Sequence, residues 1–127
     1  MRSLFERLGG FVRVRLIVSE FYERVLASDL VRHHFEGVDM RRLVDHQTKF
    51  VASVMDGPAS FSDEHLRRVH ATLGVTHREF DEVAVILRET LEDFDIAAPD
   101  VDRICAQVLG LRDCIVAPDA AAIDAAS

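Results

Sequence analysis

An all-α fold in a single domain is predicted by three observations. Apolar residues recur at i, i+3, i+4 and i+7 through the chain, and no segment shows the strict apolar–polar alternation of a half-buried strand. The breaks between periodic segments carry helix caps and stops: Gly9-Gly10, Ser28-Asp29, Asp39, Asp56-Gly57-Pro58, Thr76 and Pro99. With 127 residues, 49% of them hydrophobic, the chain is long enough to bury roughly two thirds of its unfolded surface.

Each element follows from local signals. Ser3 and Glu6 have capping-box spacing, opening a helix of one or two turns that Gly9-Gly10 should stop. A longer helix is expected from Val12 to Ala27, burying Val14, Ile17, Val18, Phe21, Tyr22, Val25 and Leu26. Ser28-Asp29 caps a short turn from Leu30 to Phe35 that ends at Gly37. Asp39 caps a helix from Met40 to about Met55 whose inner stripe reads Leu43, Gln47, Phe50, Val51 and Val54, with His46 on its border. An extended loop from Asp56 through Phe61 precedes a short helix with Ser62 as N-cap, in which Leu66, Val69, His70 and Leu73 share one face, and Gly74 ends it. Thr76 and Glu79 form a second capping box, starting a helix from His77 to about Asp93 with Phe80, Val83, Ala84, Leu87 and Leu91 inward. Pro99 suits a first helical turn, and Val101, Ile104, Cys105, Val108, Leu111 and Ile115 give the stripe of one final helix that Pro118 ends. The domain is expected over residues 1–118, with 119–127, mostly Ala and Asp, as a disordered tail.

Composition narrows the function classes. A net charge of −7 and a single lysine argue against nucleic acid as a partner. No apolar run approaches the ~18 residues of a membrane span, and Glu6 interrupts the start before a signal-peptide hydrophobic region forms. A cytoplasmic protein is the expectation, as a monomer. Cys105 and Cys114 sit nine residues apart on what reads as one helix, about 13 Å of rise and too far to bridge. They read as reduced core thiols.

Three polar side chains fall on otherwise apolar faces: Tyr22, Gln47 and His70. A buried polar group without a partner costs about 1–3 kcal/mol, so each needs a hydrogen bond, and the imidazole alternatively a metal. On spacing alone His70 reads as a hydrogen-bonded core histidine ahead of a ligand, and Tyr22 fits an aromatic filler with its hydroxyl at the surface. Gln47 fits better as a polar group aimed into a pocket.

The ordered motifs Leu4-Phe5-Glu6-Arg7-Leu8-Gly9-Gly10, Phe21-Tyr22-Glu23-Arg24-Val25-Leu26, Phe35-Glu36-Gly37-Val38-Asp39-Met40, His46-Gln47, Gly57-Pro58, Val69-His70 and Leu73-Gly74-Val75-Thr76 together resemble a truncated haemoglobin of the first group, over roughly residues 3 to 116. The resemblance implies a two-over-two helical sandwich around haem b, with a loop replacing most of the helix before the proximal one. It implies His70 as the proximal iron ligand, Phe35 against the porphyrin, and Tyr22 with Gln47 as distal donors to bound dioxygen. It further implies a pocket lined by Leu43, Phe50, Phe61, Leu66, Val69, Val75 and Phe80. His46 matches a position with three open roles: a second iron ligand, a partner of a haem propionate, or a surface residue. Val51 stands where some members carry a tunnel-gating phenylalanine. No histidine follows His77, which excludes the covalent haem linkage some members make in the last helix.

Bottom-up chemistry agrees with such a site, because haem needs apolar walls, one neutral imidazole, and a donor where a bound gas gains negative charge. The resemblance implies reversible binding of dioxygen and of other diatomic gases, nitric oxide and carbon monoxide. It also leaves room for nitric oxide dioxygenation, an enzymatic activity that needs an external reductase. Two competitors make different predictions. A bis-histidyl haem held by His46 and His70, for electron transfer or redox sensing, predicts a six-coordinate low-spin spectrum. A haem-free interaction module predicts a colourless protein.

Overall fold

A computed structural model describes residues 3–54, 67, 68, 70 and 73–117, and every regular element among them is helical. The order is α1 Leu4–Arg7, α2 Gly10–Leu26, a 3-10 turn Arg32–Phe35, α3 Met40–Val54, α4 His77–Asp93, α5 Ala98–Leu109 and α6 Arg112–Ile115. Arg67, Arg68 and His70 are also helical. The expected loop from Asp56, the Ser62 cap, the pocket positions Phe61, Leu66 and Val69, and the tail from Asp119 lie outside the described residues.

Capping sets the boundaries as the sequence predicts, with one exception. Ser3 Oγ accepts from the Glu6 N–H at 3.2 Å and Asp39 Oδ1 from the Arg42 N–H at 3.2 Å. Thr76 and Glu79 form the full reciprocal box. The exception is at Gly9-Gly10, which does stop α1 at Arg7 but also starts the next helix, two residues before the expected Val12. Gly9, left-handed at φ +100°, is the N-cap of α2, and Gly10, at φ +71°, is its first residue. Two glycines in that conformation let the chain turn from α1 directly into α2 with almost no linker.

α2 is the central element, packed on α3 and on α4, while α4 packs on α5. Val14, Ile17, Val18, Tyr22 and Val25 of α2 are buried, joined by Leu4, Val31, Leu91, Val101 and Ile104. Each such aliphatic side chain stabilises the fold by about 1.5–3 kcal/mol. Leu26, expected inside, is 38% exposed. At about 100° per residue it lies a full step round from Val25, past the edge of the packed face.

On α3 the fully buried row is Val44, Thr48 and Ala52, whereas the expected stripe, Leu43, Gln47, Phe50 and Val51, is half-buried. The helix therefore has two inward faces. The deeper one is hard to see because Thr48 looks polar and Ala52 small, but Thr48 Oγ1 donates to the Val44 carbonyl at 2.6 Å and so carries no unmet polar group. Thr90 on α4 does the same toward Ile86 at 2.7 Å. The single final helix is also corrected: it breaks after Leu109, at Gly110-Leu111, so the buried, reduced Cys105 and Cys114 lie on separate helices. Arginine–aspartate pairs tie neighbouring elements at the surface: Arg15–Asp45, Arg24–Asp93, Arg88–Asp102 and Arg7–Asp100. Exposed pairs of this kind contribute about 0–1 kcal/mol each, so the core carries the stability.

Candidate functional site

α2, α3 and the 3-10 turn converge on Tyr22. Its ring is buried, lying 4.9 Å from the Phe21 ring and 5.8 Å from the Phe35 ring, both edge-on at about 70°. The Tyr22 side chain is hydrogen-bonded to Gln47 of α3. Burial pushes the phenol well above its ordinary range, and the hydrogen bond with Gln47 offsets only part of that rise. Tyr22 is therefore a neutral hydroxyl at physiological pH, able to donate. Tyr22 is buried as a whole, at 9% exposed. Gln47 has the partner its apolar stripe demanded.

Leu43, Gln47 and Phe50 lie at i, i+4 and i+7 on one half-buried face of α3. His46, one residue from that row, is exposed. His70 is half-buried near the end of its helical segment, where its carbonyl accepts from the Leu73 N–H at 3.1 Å. Leu73, expected on the inner face, is instead 40% exposed, because it belongs to the turn that unwinds the helix before the left-handed Gly74 at φ +65°. Val75 is half-buried, and its carbonyl accepts from the Ala117 N–H at 2.8 Å, pinning the segment after His70 to the residue just past α6. Phe80 is buried at the start of α4, with the Arg112 guanidinium 4.6 Å over its ring.

Tyr22 and Gln47 supply two neutral hydrogen-bonding groups beside Phe35, with Leu43 and Phe50 on Gln47's face, and His70 offers a half-buried imidazole on its own helical segment. A cofactor with a large apolar face and one position for an axial nitrogen fits these residues, whereas a hard cation does not.

Comparison with known proteins decides the family. The bacterial-like globin family model matches residues 3–117. Over 110 residues the chain is 34% identical to a group 1 truncated hemoglobin, GlbN, of Synechocystis sp., an alignment covering 84% of this chain and 89% of that protein. The chain belongs to the group 1 truncated haemoglobins. A relative of the same description from Mycolicibacterium paratuberculosis is 30% identical over 109 residues, covering 86% of this chain and 80% of its own. Among solved structures, the 2/2 hemoglobin of Synechococcus sp., in the cyanomet state with covalently attached heme, superposes with a TM-score of 0.83 at 30% identity, covering 91% of this chain and 98% of that one. α2 with α3 and α4 with α5 are thus the two helix pairs of a two-over-two globin.

Within this truncated globin the structure brings Tyr22, Gln47 and Phe35 together and places Leu43 and Phe50 on Gln47's face. It sets His46 on the surface. Sequence reasoning missed a second polar cluster on the flank of Phe35, formed by His33, His34 and Glu79. Glu79 lies 45 positions from His34, and only the doubled histidine hints at the cluster.

Proposed function

We propose that this globin holds haem b through His70 and binds dioxygen and related diatomic gases reversibly on the side of Tyr22 and Gln47. The observation that carries the reading is the buried, hydrogen-bonded Tyr22–Gln47 pair packed on Phe35. When bound, haem supplies a ferrous iron able to take one small gas molecule. His70 would hold the haem through its imidazole. Phe35, Leu43, Phe50 and Val75 would give the group apolar contact and exclude water. Tyr22 Oη–H donates toward the gas where negative charge gathers, and Gln47 orients that hydroxyl through their shared hydrogen bond. Phe61, Leu66, Val69 and Phe80 complete the proposed lining.

The same arrangement supports conversion of nitric oxide and dioxygen to nitrate. That conversion consumes one electron, which an external reductase would supply. The acidic surface implied by the net charge of −7 suits a reductase with a basic patch. His46, exposed on α3, gives no support to a bis-histidyl electron-transfer haem. The covalent heme of the Synechococcus protein does not carry over, since no histidine follows His77.

Optical spectra of the purified protein in ferric, ferrous and oxygenated forms test the reading. A Soret band, with a ferrous form that converts to a stable oxygenated one and back, is expected. A preparation that stays colourless after reconstitution with hemin refutes it. Six-coordinate low-spin spectra in both oxidation states, lost on His46→Leu, move the assignment to the bis-histidyl alternative.

A further inference from the structure

His33 and His34 on the 3-10 turn meet Glu79 in the first turn of α4. The Nε2 atoms of the two imidazoles lie 3.2 Å and 3.0 Å from the same carboxylate oxygen, Oε2 of Glu79. Glu79 Oε1 is already used, accepting the Thr76 N–H at 3.0 Å in the capping box. The carboxylate is buried, His34 is mostly covered with 13% of its side chain exposed, and His33 is half open at 54%. Burial alone would raise the Glu79 carboxyl, but the Thr76 N–H and His34 outweigh it and hold the group below the ordinary range. Glu79 is therefore ionised at neutral pH. The three donors border a cleft of about 800 Å³ that also touches Asp29, Arg78 and Asp81. Asp29 pairs with Arg32 and Asp81 with Arg112, so the charges the neighbouring helix brings to the cleft are chiefly the Glu79 carboxylate in contact with both imidazoles and the Arg78 guanidinium on the cleft wall.

We propose that His33, His34 and Glu79 form a site for a zinc-class divalent cation, separate from the Tyr22–Gln47 region. Three ligand atoms lie within 4.8 Å of one another. Bonds of about 2.0–2.2 Å to nitrogen and oxygen require donors about 3.3–3.6 Å apart in a tetrahedron, so the two imidazoles open by a few tenths of an ångström from Oε2 while their own nitrogens, within 4.8 Å, turn toward each other to the same spacing. On binding, each imidazole meets the metal through an unprotonated Nε2 and carries its single proton on Nδ1. A ring that had donated from Nε2 shifts that proton to Nδ1 through solvent, and a doubly protonated ring releases one proton to water. Water takes the fourth position on the open side. Two imidazoles and one carboxylate are a borderline-soft set that favours zinc over magnesium or calcium. Bound metal ties the turn carrying Phe35 to the start of α4 and so steadies the ring against which Tyr22 packs.

Titration calorimetry of zinc chloride into the untagged full chain, purified with its haem, tests the site. One zinc per chain is expected, with binding weakened at least tenfold in Glu79→Gln, whose amide retains the Thr76 cap, and abolished in His33→Ala/His34→Ala. No zinc uptake by the wild type overturns the proposal. So does uptake by the variants equal to that of the wild type, which means adventitious binding on other histidines. Should a variant fail to fold, zinc-edge absorption on the loaded wild type decides: a first shell with two imidazoles supports the site, and one with fewer overturns it.

Discussion

Two polar clusters flank Phe35, and they are built in opposite ways. The Tyr22–Gln47 pair sits on two long helices, is buried, and uses neutral groups only. The His33–His34–Glu79 cluster sits on a four-residue 3-10 turn and a helix first turn, borders a cleft, and is organised by one carboxylate. A neutral pair tolerates deep burial because neither partner has to be kept ionised without water, whereas an anion is retained only where backbone N–H groups and imidazoles offset its desolvation. Rigid helices therefore carry the donor that must be positioned finely. The capping turn carries the charge.

The largest expected effect breaks the buried side of this contrast at its proposed axial partner. His70→Ala should abolish tight haem retention, read as loss of the Soret band through gel filtration. A variant that keeps a normal proximal-ligand spectrum would show that another residue holds the iron. Tyr22→Phe keeps the ring contacts with Phe21 and Phe35 but removes the donor. It should speed dioxygen release roughly ten- to hundredfold, the equivalent of about 1.5–3 kcal/mol for a hydrogen bond to a charged group, in stopped-flow displacement. An unchanged rate would mean that the hydroxyl serves only Gln47.

The charged cluster should respond through stability. Glu79→Ala removes both the reciprocal cap and the acceptor for two imidazoles, and is expected to destabilise by about 0.5–2 kcal/mol in urea unfolding. Glu79→Gln should lose less than half as much, because Gln also completes a capping box. Equal losses would shift the weight from the cap to the imidazole contacts. The smallest effect is a pH dependence. Tyr22, the only tyrosine, has a folded-state value raised above its unfolded 10.0. The folded state thus holds the proton more tightly, so its contribution is fully present below pH 10 and falls as the pH rises above it, by at most about 1.4 kcal/mol per pH unit. Unfolding midpoints measured across that range should show the slope in wild type and not in Tyr22→Phe.

Most of the helical frame was legible because caps and periodicity act over three or four residues. Asp39 and the Thr76–Glu79 box mark their helix starts directly, and the buried residues of α2 differ from the expected stripe at Leu26 and at the half-buried Phe21. What escaped depends on contacts that linear spacing does not encode. Thr48 hides its polarity in its own helix backbone, so the deeper face of α3 was passed over. Gly10 reads as a stop but is helical, since only the φ of Gly9 shows which way the chain turns. Tyr22, Gln47 and Phe35 were legible as site candidates through the family resemblance, and their unpartnered polarity pointed the same way. Glu79 read only as a cap, because its second oxygen meets residues far upstream in the sequence.

The bond from the Ala117 N–H to the Val75 carbonyl makes a ring out of the stretch from the strap below His70 to the residue just past α6. Mechanical load applied at that end travels to the strap without crossing the hydrophobic interior. A reporter joined immediately after Ala117 would tug on the segment beside the proposed haem ligand, whereas one joined through a slack spacer would leave it undisturbed.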